Sequence, residues 1–166
     1  MSGYFALAVS VGLLAVIDTW LFGVPLADFL PGLVWVSFIA WGCFFHSGAG
    51  TKGLIPAIVG MAFGAAVGVA AIWALMVPLA GLGQFAGPVA VGLGAFAICL
   101  ASKVPVLATI PASVYGFAAV AGATFLMAGS AEMDPVGAYI PTVVAVIIGA
   151  LFGIVSEKFA GLMTKA

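Results

Sequence analysis

The sequence predicts an all-α integral membrane protein with six transmembrane helices, and three observations carry that prediction. Residues of the AVILMFWYC set make up 66% of the 166-residue chain, and charged residues only 5%. A soluble domain of this length carries about a quarter charged residues, so this chain could not cover a water-facing surface. The 23 glycines point the same way, because Gly and Pro are commoner in membrane helices than in soluble ones. Third, the apolar residues fall into six runs, each near the ~20 residues that a helix needs to cross a bilayer.

The runs are punctuated by Pro, Gly or charge. The first, 4–24, is closed by Val24-Pro25. The second, 31–47, opens at Pro31 and closes at Ser47-Gly48-Ala49-Gly50. The third, 53–78, ends at Pro78, and the fourth, 86–102, follows Gly81-Leu82-Gly83-Gln84. The fifth, 105–128, opens at Pro105, and the sixth, 135–160, at Pro135. Pro is tolerated at a helix start because its missing N–H had no partner there. The connections are too short for soluble modules, so residues 1–166 are read as one polytopic membrane domain. The N-terminus lacks the basic region of a signal peptide, so the first run is read as a retained helix.

The lysines orient the spans. Lys52, Lys103, Lys158 and Lys165 fall on one side of a six-span chain, while Asp28, Glu132 and Asp134 fall on the other. Lys and Arg mark the cytoplasmic face, which puts both termini in the cytoplasm and the protein in a bacterial inner membrane.

An internal repeat is visible. Ile55-Pro56 through Val69 aligns without gaps on Ile140-Pro141 through Ile154, at an offset of 85. Pro56 then falls on Pro141, Gly64 on Gly149 and Gly68 on Gly153. The second and fifth runs match at 74, with Trp41-Gly42 on Tyr115-Gly116, and the first and fourth at 80, through Val11-Gly12-Leu13 and Val91-Gly92-Leu93. Halves of about 1–80 and 81–166, with three spans each, must lie inverted. Inverted repeats recur in transporters, with the site near the midplane between them.

Within that frame Asp18 is the first candidate, as an ionisable group inside a span is functional by default. It either lines a water-filled mouth or reaches the interface. His46, the sole histidine, is either an interfacial residue or a sensor of cytoplasmic pH. Trp41 and Tyr115, each 10 residues past its matched Pro, are expected near the midplane, with Ser37 beside the first and Ser113 and Thr109 beside the second. They are either a narrow constriction for a small polar solute or core filler. Pro111 is expected to kink the fifth helix. Trp20, Trp35, Trp73, Tyr4 and Tyr139 read as interfacial anchors. The stripes Gly60, Gly64, Gly68 and Gly149, Gly153 permit close helix approach, within one chain or between copies in a homo-oligomer.

Other chemistry has little material. A net charge of −1 gives no case for nucleic-acid binding. Cys43 and Cys99 are isolated, without metal-ligand spacing. No cofactor, metal site or catalytic constellation is expected. The loop 46–53 does not fit GxxxxGK[ST], because no Ser or Thr follows Lys52.

The segments Pro31-Gly32-Leu33-Val34-Trp35, Phe44-Phe45-His46, Lys52-Gly53-Leu54, Ile110 through Gly116 and Ala121-Gly122-Ala123 resemble, in order over nearly the whole chain, the YcdZ-like bacterial inner-membrane family, domain of unknown function 1097. The resemblance implies a small polytopic inner-membrane protein and carries no residue roles. The expected function is a channel or facilitator for a small, uncharged solute passing between the two halves. The alternative is a non-transporting scaffold or assembly partner in the bilayer.

Overall fold

The computed structural model describes residues 2–128 and 133–165, and the secondary structure among them is helical. The helices are α1 (Gly3–Gly23), α2 (Val34–His46), α3 (Gly50–Met76), α4 (Ala86–Ala101), α5 (Ile110–Ala128) and α6 (Pro135–Lys165). Five of them are long and apolar enough to cross a membrane; α2, also apolar, has 13 residues. Their outer faces carry Phe5, Trp20, Trp73, Phe96 and Phe125, each more than half exposed. Such a surface suits lipid and not water.

Two helix starts differ from expectation. Pro31 and Pro105 do not open helices. Gly32 takes φ +67°, and a run of turns over 24–33 delays α2 to Val34. A 3₁₀ turn at Pro105–Leu107 delays α5 to Ile110. Pro111 is therefore the second residue of α5, where its missing N–H costs nothing; the expected mid-helix kink is not there. The prolines that do sit inside spans include Pro141 of α6 and Pro56, which starts a π-helical turn, Pro56–Gly60, within α3. A π turn absorbs a residue whose N–H cannot join the ladder. At the start of α6, Asp134 accepts a 2.8 Å hydrogen bond from the Gly137 N–H and Pro135 follows it, the usual order at an N-terminus. Glu132 lies outside the described residues.

The packing crosses between sequence-distant helices. The two most extensive interfaces are α3 with α5 and α2 with α6, followed by α3 with α6, α1 with α6 and α3 with α4. Close backbone approach explains the first two. A Cβ on Gly64 would overlap the Ser113 carbonyl, and one on Gly116 would overlap that of Met61. On the other pair, a Cβ on Gly149 would overlap the Ser37 carbonyl, and one on Gly153 would stand 2.6 Å from the Phe44 ring. Gly60, 2.9 Å from Ala112 Cβ by the same measure, and Gly68, 3.1 Å from the Phe117 carbonyl, extend the α3 stripe. These glycines seat helices within one chain. Lipid tails give no hydrophobic drive between helices, so this contact is where the packing energy lies.

Candidate functional site

Polar side chains in this apolar bundle gather where α1, α2 and α6 meet. Asp18, on α1, has no exposed surface. Its position in the outer half of its helix does not bring it to the interface, because the turns over 24–33 fold α2 back against it. Ser37, one turn into α2 and equally buried, donates a 3.0 Å hydrogen bond to Asp18 Oδ1. Asp18 Oδ2 is buried with no partner. A buried carboxyl oxygen without a donor is costly.

About two turns along α1, Ser10 donates to the Ser156 carbonyl of α6 at 2.8 Å. Trp41 reaches the same residue, its indole Nε1 donating to Ser156 Oγ at 3.0 Å. Ser156 Oγ donates in turn to the Gly153 carbonyl at 2.7 Å. The Trp41 ring stacks on Phe38 and lies against Phe152, with centroids at 5.9 and 5.5 Å. One residue beyond Ser156, the Glu157 carboxylate accepts the Gly50 N–H at 2.9 Å, tying α6 to the sharp turn before α3. That turn holds three successive positive φ values, at Gly48, Ala49 and Gly50. A polar stripe thus runs from Glu157, at the end of the bundle that carries Lys52 and Lys158, inward to Asp18.

Tyr115 is not part of it. Because α5 starts at Ile110, Tyr115 is its sixth residue and lies towards a helix end, not at mid-depth. Its half-buried ring meets exposed His46 edge-on at 6.0 Å. Trp41 and Tyr115 therefore do not form the facing pair that the sequence suggested; each has other neighbours. Ser113 is buried with its backbone against Gly64, and Thr109 is half-buried just before α5. Neither belongs to the stripe. Trp35 is no anchor either: its ring covers Gly122 and its Nε1 is buried without a partner.

Sequence reasoning missed Ser10, Ser156 and Glu157. The signal was present: each is a polar residue in an apolar run, and Ser10 and Asp18 share one face of α1, eight residues apart.

The sequence family described as protein of unknown function, DUF1097, matches residues 8–161. No curated protein and no solved structure matches the chain. With the family match spanning almost every helix described above, the chain belongs to the DUF1097 family.

Proposed function

We propose that this protein is a channel or facilitator for a small, uncharged polar solute, in a bacterial inner membrane, with its path along the α1/α2/α6 stripe. The observation that carries the reading is Asp18: a fully buried carboxyl in an apolar helix, one oxygen held by Ser37 and the other unpartnered. Ionisable groups at such depth are costly and mark substrate or ion pathways. The free oxygen is the place for a transient hydrogen-bond donor such as an amide or hydroxyl.

The proposed frame is six crossings, with α2 as a short one, in two inverted halves with both termini cytoplasmic. Several registers support it. Residues 53–73 and 138–158 alternate between buried and exposed almost identically at the offset of 85. The buried Ala6, Ser10 and Asp18 of α1 fall on buried Ala86, Ala90 and Ile98 at 80. For α2 and α5 the contacts favour 76 over 74. Ser37 then falls on Ser113, each against a glycine of its partner helix, and Phe44 falls on Val120. Exchanging the halves turns α2–α6 into α5–α3, α1–α6 into α4–α3, and α3–α6 into itself, which together are the five largest interfaces.

That alignment also argues for the stripe as the site. Ser10, Asp18, Trp41, Ser156 and Glu157 have Ala90, Ile98, Phe117, Ala71 and Ile72 as counterparts. One interface between the halves is polar and its counterpart apolar. Mere packing needs no such difference.

Stopped-flow flux of urea, acetamide and glycerol into proteoliposomes tests the proposal. Faster entry than into protein-free vesicles, reduced at least tenfold by Asp18→Asn, is expected. Wild-type vesicles no faster than empty ones for the whole panel would sink it. The second reading, a membrane scaffold or assembly partner, is favoured by one observation: Phe44, Met61 and Trp41 fill the bundle interior. Copurification of a stoichiometric partner, without flux, would support it. A homo-oligomer would have to use faces other than the glycine stripes, which are already occupied.

A further inference from the structure

An apolar groove of ≈ 760 Å³ runs over the outer face between α1 and α6, lined by Leu14, Ile17, Val155, Phe159 and Leu162, with the exposed Lys158 on its wall. A second groove of ≈ 330 Å³ shares Leu14, Ile17 and Val155 and continues to Ile148. We propose that this continuous groove holds an acyl chain of an anionic glycerophospholipid, with the lipid phosphate at Lys158. The proposal rests on the membrane setting and, for one comparison, on the repeat register, and not on the transport reading.

Four features point to a lipid and not to a helix of a second copy. Helices dock through small residues, and the lining named here is Leu, Ile, Val and Phe; Gly149 and Gly153 of α6 face α2. A flexible chain fills a bulky, irregular wall that a rigid helix cannot approach. The length also fits. Lys158 is 10 residues from Ile148, about 15 Å along a helix, which is half of a ~30 Å hydrocarbon core. A lysine can lay its stem along the groove and raise its ammonium to the headgroup level.

Charge is the third feature. Glu157, the adjacent carboxylate, is engaged by the Gly50 N–H. The fourth is an internal control. The corresponding groove between α4 and α3, lined by Ala70, Ala74, Leu93, Gly94 and Ala97, measures only ≈ 170 Å³. The residue corresponding to Lys158 is Trp73, which carries no charge and lies outside that lining. The wide groove is the one with the cation.

Native mass spectrometry of the purified full chain, titrated with phosphatidylglycerol or phosphatidylcholine, tests this. Wild type should bind one phosphatidylglycerol about fivefold more tightly than phosphatidylcholine, the weight of one lysine near an anionic headgroup. Lys158→Ala should bring the two lipids to parity, while Lys103→Ala keeps the preference. Val155→Trp, at a half-exposed position, should reduce binding of both. An undiminished preference in Lys158→Ala overturns the proposal. So does a wild-type dimer, free of lipid adducts, that Val155→Trp dissociates, because a second copy would then fill the groove.

Discussion

Replacing Gly64 by alanine should force α3 and α5 apart. The new Cβ would overlap the Ser113 carbonyl oxygen and stand 2.5 Å from its carbon and 2.8 Å from Cα. Ordinary contact begins at 3.4 Å and the carbonyl oxygen is nearer than the carbon, so the α5 backbone must retreat by at least 3.4 − 2.5, about 0.9 Å. A gap of 0.5–1 Å forfeits roughly a quarter to a half of each dispersion well of ~0.1–0.2 kcal/mol. Over on the order of 30 atom pairs this is about 1–2 kcal/mol, inside the usual range for overpacking. Sliding along the interface gives no relief, because Gly116 presses on the Met61 backbone from the other side. The assay is unfolding in mixed micelles of rising SDS content, followed by tryptophan fluorescence. Gly149→Ala, which meets the Ser37 backbone, should lose a similar amount, and Gly12→Ala, with nothing within 4 Å, should lose none. If Gly64→Ala unfolds at the same SDS fraction as Gly12→Ala, close backbone approach is not what holds the bundle.

Ser37→Ala leaves both oxygens of Asp18 without a donor and should cost about 1–3 kcal/mol in the same unfolding assay. The double variant Asp18→Ile/Ser37→Ala, which replaces both partners by apolar groups as Ile98 does in α4, should recover most of that loss while abolishing flux. Ala49→Gly should raise stability by about 1 kcal/mol, because φ 56° with ψ −173° is a region that glycine alone occupies without strain; an unchanged midpoint would refute the strain. A reporter fused after Ala166 should be active only in the cytoplasm, from the lysine bias; periplasmic activity would reverse the assigned orientation.

Much of the helical frame was legible because hydropathy reports whether a segment is apolar over ~20 residues. The close-approach glycines of α3 and α6 were legible too: Gly64 and Gly149 stand out as stripe residues, and each meets a serine carbonyl of its partner helix. The start of α2 was not. Pro31 fits a first helical turn as well as it fits a turn closed by Gly32 at φ +67°, and local sequence does not choose between them. Counting depth from Pro31 and Pro105 put Tyr115 at mid-helix, whereas α5 starts at Ile110 and makes Tyr115 its sixth residue. The Asp18–Ser37 bond was hidden for another reason. An apolar helix with polar residues this sparse says little about its own rotation, and α1 packs far more on α6 than on α2, so its local sequence does not tell which face meets α2. Trp41 with Ser156 is further still, a contact 115 residues apart in the chain.

The crossed pairing of helices has a consequence for how the chain is made. Ser37 waits for Gly149, which leaves the ribosome 149 − 37 = 112 residues later. At ~5–20 residues per second that is roughly 6–22 s. Throughout that interval α2, the shortest and least self-sufficient helix, is without its principal neighbour, and Ser10 of α1 is without the Ser156 carbonyl it donates to. Folding is therefore completed by the last helix inserted, and a nascent chain stalled before α6 offers the membrane's quality control an unpaired polar face.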